Sequence, residues 1–344
     1  MFFRTYIINF LFFGLVLLLL LIFSELALRL VHSYNDTNPV SVEADQILPY
    51  RMIPNTETTS IDGIQISINS DGLRDIKPET NQSSVIKNYL VLGDSTTYGY
   101  GVQASHTFAE RLQDVRNKKN PDTNSFINAG HAGFNIIDYA NLLSILNEKI
   151  EYDTIIVSMD SSDYTTTSVS LTIKNEVGIG RGSLLDRYNV NPWLIKLFRN
   201  SAIYLTVGNA IKGNNYKSKP SSEKAMNNQY LIATIKNSLE KIKKIANTRR
   251  APVFLFYLPV KTELLDLEVH YPKFNATVKE FADRHTDVYF LDLSKKSVLI
   301  DNVERIYFRT DWVHPNPLGH RMFCSEMLRF INEHETNASN QKEC

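Results

Sequence analysis

The sequence predicts an α/β fold: a three-layer α/β/α sandwich on a mostly parallel five-stranded sheet, preceded by a transmembrane helix. Three observations predict it. Short apolar runs bounded by turn residues recur at Tyr89–Leu92, Ser125–Ala129, Thr154–Met159, Val253–Tyr257 and Val288–Leu291. Helical patterns fall between them, at Thr107–Val115, Ile136–Lys149, Asn228–Ala246 and Asn275–Arg284, with a final one near Gly319–Glu333. Strands that alternate with helices favour a parallel sheet covered on both faces. The third observation is at the N-terminus, where Ile7–Phe23 is apolar throughout except for Asn9.

With Thr5 and Tyr6, that run approaches the ~20 residues needed to cross ~30 Å of hydrocarbon. Ser24–Leu28 lacks the paired small residues of a cleavage site, so residues 1–31 are expected to be an uncleaved signal anchor rather than a removed signal peptide. A weak excess of positive charge before the run, from Arg4 and the amino terminus, agrees with a periplasmic or extracellular placement of the rest of the chain. His32–Gln46 is polar and aperiodic and reads as a tether. Short pieces with turn signals follow, including Ile61–Ile68, which alternates around Asp62-Gly63 in the manner of a hairpin. Residues 32–84 therefore read as a tether and a small β-rich cap, and 85–335 as the sheet domain. Within it, 165–225 is too long for a simple connection and reads as a lid-like insertion carrying an apolar stretch, Pro192–Phe198. Residues 336–344 read as a flexible tail.

Composition narrows the class. Among 344 residues, Lys plus Arg equals Asp plus Glu at 37 each, so no net field favours nucleic acid. Two cysteines, Cys324 and Cys344, are too few for a disulfide scaffold or a zinc site. No His-Glu-x-x-His pairing calls for a metal, and Gly99 and Gly101 are not followed by Gly-Lys-Ser/Thr, so no cofactor or nucleotide is expected.

The chemistry centres on Asn88–Val102. Gly93-Asp94-Ser95 follows the first buried strand, and a Ser there sits at the carboxyl edge where open α/β sheets bind ligands. A hydroxyl needs a base, and Asp311-Trp312-Val313-His314 supplies one near the other end of the chain, with an acid close enough to fix its tautomer. Thr97 stands where the α/β-hydrolase elbow has its second Gly, which disfavours that family.

Three spaced blocks, Gly93-Asp94-Ser95, Asn128-Ala129-Gly130-His131-Ala132-Gly133 and Asp311-x-x-His314, make the chain resemble the GDSL, or SGNH, family of esterases and acyl hydrolases. The resemblance covers roughly Ile86–Phe330 and implies a flavodoxin-like fold. It assigns Ser95 as nucleophile, His314 as base and Asp311 as its partner. It also implies an oxyanion hole from the N–H of Ser95, Gly133 and a third-block Asn. That third block, Gly-x-Asn-Asp in the family, is here Asp160-Ser161-Ser162-Asp163, so the Asn position falls on Ser162; Asn135 is a second candidate for the missing donor. Asp94 is expected to cap a turn, and His131 and His320 to be structural.

The expected activity is hydrolysis of an ester-linked acyl group on a small molecule, or on a cell-envelope lipid or glycan, at a membrane. The alternatives are an O-acyltransferase passing the same acyl group to a sugar hydroxyl, and a degenerate binding module, which the altered third block leaves open.

Overall fold

Five strands form the predicted sheet: β5 (Lys87–Gly93), β6 (Asn124–Gly130), β7 (Thr154–Met159), β8 (Val253–Tyr257) and β9 (Val288–Asp292). The computed structural model describes residues 2–31, 40–60, 63–74, 87–118, 121, 123–164, 203, 224–266, 272–309 and 311–342. All four strand pairings are parallel, in the order β6-β5-β7-β8-β9. The order reverses at β5, and in such sheets the crevice beside the reversal is where ligands bind.

Both faces of the sheet are covered, which is why its strands are apolar throughout rather than alternating. On one face Tyr89, Val91, Phe126, Ile156 and Phe254 pack with α3 (Phe108–Asn117) and α7 (Pro317–Lys342). On the other, Leu90, Leu92, Ile127, Val157 and Leu255 pack with α4 (Ile136–Leu146), α5 (Lys224–Arg249) and α6 (Pro272–Asp283).

The segment before the sheet is more ordered than its sequence suggests. Two antiparallel pairs, β1 (Val42–Glu43) with β2 (Arg51–Met52) and β3 (Thr56–Thr59) with β4 (Gln65–Ile68), form there. Val40, Leu48, Tyr50, Met52, Ile66, Ile68 and Leu73 are buried in the same cluster as Leu90 and Leu92. Val40–Gln46 is therefore docked chain and not tether, because Val40 and Leu48 find an apolar surface that the local sequence does not reveal. The hairpin expected around Asp62-Gly63 forms, with β3 and β4 pairing across the loop that holds Gly63; the strand opposite β4 is the Thr-rich Thr56–Thr59, which lies before the alternating run.

The N-terminal helix α1 (Phe2–Val31) falls in a different compact unit from the sheet. Its stretch Ile8–Leu28, 21 residues at mean hydropathy 2.7, is long and apolar enough to cross a membrane, and a signal sequence has the same character. At the other terminus α7 continues to Lys342, where a flexible tail was expected, since no Gly or Pro stops it. The expected insertion at 165–225, Pro192–Phe198 included, lies outside the described residues apart from Ile203 and the start of α5.

Candidate active site

The carboxyl end of β5 delivers Ser95 directly. After Gly93 the chain enters a four-residue helix, α2 (Ser95–Tyr98), and Asp94 caps it by accepting the Thr96 N–H at 2.9 Å. This helix lies so close to β6 that a Cβ at Gly130 would come within 2.6 Å of the Thr97 carbonyl carbon, which explains a residue without a side chain there.

His314 comes from the loop between β9 and α7, pinched at its base by a Tyr307–Pro315 bridge. Asn316 fixes the start of α7 by accepting the Leu318 and Gly319 N–H groups, while its amide donates to the Arg305 and Tyr307 carbonyls. Asp311 accepts the backbone N–H groups of Val313 (2.8 Å) and His314 (3.1 Å) through Oδ1, and faces His314 Nδ1 at 2.6 Å through Oδ2. That contact puts the imidazole proton on Nδ1 and leaves Nε2 as acceptor. Nε2 lies 2.8 Å from Ser95 Oγ, 219 residues away in sequence. The Tyr100 ring stacks on the imidazole at 4.4 Å between centroids. The His314 and Asp311 side chains remain 17% and 23% exposed, so a substrate can reach them.

Burial, the largest influence on His314, disfavours its charged form, but Asp311 outweighs it, and Asp94 and Asp160 add to Asp311, so the pKa is raised. Burial opposes charge on Asp311 too, yet His314 and the two backbone N–H groups hold it below the usual carboxylate range. The pair is thus disposed toward imidazolium and carboxylate, the state in which a proton taken from Ser95 would be held.

The other expected site residues fall as follows. Gly133 lies in the turn after β6 with φ of 80°, a left-handed conformation that glycine adopts without cost. Ser162 lies in the 3-10 turn Ser161–Tyr164 after β7, and its N–H donates to Asp160 Oδ1 at 2.6 Å. Asn135, the second candidate donor, caps α4 instead, its side-chain oxygen accepting the Ile137 and Asp138 N–H groups in a reciprocal box with Asp138. His131 is buried with Nδ1 3.1 Å from the Ala129 carbonyl, and burial lowers its pKa to about 4. His320 accepts the Phe108 N–H and is lowered to about 3. Among the described residues no group of three or more His, Cys, Asp or Glu side chains could hold a metal ion.

Sequence reasoning missed a cluster of carboxyls beside Ser95. Asp94, Asp160 and Asp163 are each at most 4% exposed. Asp163 Oδ2 accepts the Asp160 N–H at 2.8 Å. Burial and then the charge of Asp160 raise the pKa values of Asp94 and Asp163. The signal was present in the third block, where Asp160 occupies the family's Gly position.

The GDSL-like Lipase/Acylhydrolase family model matches residues 91–322. No curated protein matches the sequence. Among solved structures, a lipolytic protein of the G-D-S-L family from Veillonella parvula shares 17% identity over 70% of this chain and 96% of its own, at a TM-score of 0.43. The psychrotrophic esterase EstA from Pseudoalteromonas shares 16% over 72% and 97%, at 0.40. TesA shares 12% over 72% and 99%, at 0.44.

Proposed function

Because the chain belongs to the GDSL-like lipase/acylhydrolase family of ester hydrolases, we propose that it is a serine esterase working through an acyl-enzyme, with Ser95, His314 and Asp311 as its triad. The observation that carries this reading is the position of one imidazole. His314 faces Ser95 Oγ with Nε2 at 2.8 Å and Asp311 with Nδ1 at 2.6 Å. Ser95 Oγ attacks the ester carbonyl and gives its proton to Nε2; Asp311 stabilises the resulting imidazolium. The tetrahedral oxyanion is held by the N–H groups of Ser95 and Gly133 and by the Ser162 side chain. Collapse expels the alcohol, protonated by His314. Water activated by the same imidazole then releases the acid and restores Ser95.

The setting supports one substrate class. A helix able to cross a membrane favours an ester on a cell-envelope lipid or polysaccharide, with α1 as the anchor and the catalytic unit on the periplasmic or extracellular side.

A fluorophosphonate probe tests the chemistry: wild-type protein should label at Ser95 and release free acid from a model ester. Folded protein that neither labels nor turns over would defeat the reading. The same assay with a sugar acceptor separates hydrolysis from transfer.

A further inference from the structure

Two side chains of the segment before the sheet reach the carbonyl oxygens of the catalytic turns. Tyr50, 1% exposed, donates its hydroxyl to the Ala132 carbonyl at 2.9 Å. Arg74, also 1% exposed, donates to the carbonyls of Gly99 (2.6 Å), Tyr98 (3.1 Å) and Val102 (2.7 Å). Neither contact is needed to form β1–β4, and each lands on a turn that bears a site residue.

The Tyr50 contact has a specific chemical meaning. The Ala132 carbonyl and the Gly133 N–H are the two ends of one planar peptide unit. A hydrogen bond to the oxygen fixes the direction of the N–H on the far side. It also draws electron density along the unit, which makes that N–H a better donor. The turn is tied at its ends, by the His131 N–H to the Gly93 carbonyl at 2.9 Å and the Phe134 N–H to the His131 carbonyl at 3.2 Å. Its middle peptide, with Gly133 at φ of 80°, is the unit Tyr50 holds. The ring itself is fixed edge-on to Phe134 at 5.0 Å and tilted over His131 at 5.8 Å. Burial keeps the phenol protonated, with the neighbouring Tyr98, Asp138 and Asp94 adding to the effect, so the donor persists at any working pH.

We propose that Tyr50 is a positioning residue for the oxyanion site, its hydroxyl aiming and polarising the Gly133 N–H through the shared peptide unit. The proposal rests on the reading of Gly133 as an oxyanion donor. Arg74 acts in the same sense on the nucleophile turn. The peptide units whose oxygens it binds at Tyr98 and Gly99 send their N–H groups, on Gly99 and Tyr100, to the Ser95 carbonyl at 3.1 and 2.9 Å. One segment thus braces both halves of the site, which makes residues 40–74 part of the catalytic unit rather than a spacer from α1.

The test is a double-mutant cycle on full-length protein, with kinetics on an activated acetate ester and thermal melting of each variant. Tyr50→Phe keeps the ring and removes the one donor. Losing an oxyanion donor outright costs about 10²–10³ in rate, so weakening and misaiming one should lower kcat about tenfold. KM, the melting temperature and the acidic limb of the pH profile should stay close to wild type, since neither substrate binding nor His314 is touched. Gly133→Ala keeps the N–H but strains a φ of 80° and turns the peptide off its aim, so in that background the Tyr50→Phe loss should shrink to about threefold or less. Folded Tyr50→Phe with wild-type kcat, or an equal loss in both backgrounds, would overturn the proposal. Wild-type kcat in Gly133→Ala would instead overturn the oxyanion reading of Gly133.

Discussion

The turns after β6 and β7 lie on either side of β5, the strand that leads into Ser95, and they are held by opposite means. The β6 turn is fixed without net charge: His131 is lowered to about 4 and hence neutral, and Ala132 takes a phenol hydroxyl. The β7 turn is built on carboxyls. Asp160 accepts the Ser162 N–H, Asp163 accepts the Asp160 N–H, and Asp94 presses on both. Asp160 and Asp94 share a side-chain hydrogen bond, and Asp163 shares one with Tyr139. Burial and the neighbouring charge of Asp160 raise the pKa values of Asp94 and Asp163, so these two carboxyls are disposed to keep their protons. A neutral turn can aim a donor without disturbing the base beside it. An acidic turn cannot, because its charge reaches His314.

Both turns matter only if they serve the same nucleophile, and the largest effect tests that premise. Ser95→Ala and His314→Ala should each lower kcat by about 10⁴–10⁶, with the double variant little worse, because the groups act as one unit. Asp311→Asn should cost no more than either. Steady-state kinetics on melting-checked variants decides it; near wild-type turnover in Ser95→Ala would leave the two turns with nothing to flank.

A smaller effect sharpens the contrast at Ser162. Its backbone N–H is engaged by Asp160, so the side chain is what the β7 turn can present to an oxyanion. A Ser hydroxyl is shorter than an Asn amide, and one lost donor typically costs about 10²–10³. Ser162→Asn should raise turnover of a simple ester at least about tenfold. Ser162→Ala should lower it if the hydroxyl already serves. A folded Ser162→Asn variant that is no faster means the site is built around Ser.

What the sequence showed and hid follows the same division. Thr154–Met159 and Val253–Tyr257 were legible to the residue, because a strand buried on both faces is apolar from end to end. β5 was read short, since Lys87 and Asn88 are polar although hydrogen-bonded in the sheet. The Asp311–His314 contact was legible because it spans three residues. The Tyr50–Ala132 contact spans 82 and leaves no local trace. Two-residue strands such as β1 and β2 have no period to detect, so docking of Val40–Met52 was invisible too. Asn135 could have been read correctly, as Asn-x-x-Asp before an apolar run is a helix-start signature. The third block shows the limit most clearly. The departure at Ser162 could be read from the motif, but the consequence of Asp160 required knowing that Asp94, Asp160 and Asp163 are buried together.

The smallest expected effect is also the most direct measure of the acidic turn. His314 must be neutral to take the Ser95 proton, so the rate rises with pH through the imidazole pKa. Burial pushes that pKa down, and the charges of Asp311, then Asp94 and Asp160, push it above the usual 6.5. Asp160→Asn keeps an oxygen for the Ser162 N–H and removes one of these charges. With less negative charge nearby the imidazolium is less stable, its pKa falls, and the acidic limb of the kcat/KM profile moves to lower pH. The shift should be partial. Asp94 is raised by burial and by Asp160, so removing Asp160 allows Asp94 to ionise in its place and restore part of the field on His314. A displacement of about half a pH unit is expected, compared with a unit or more for an uncompensated charge at close range. Tyr50→Phe, acting on the neutral turn, should leave the same limb in place. A limb that stays put in Asp160→Asn would mean that Asp160 does not act on the imidazole, and that the two turns differ in composition but not in their effect on His314.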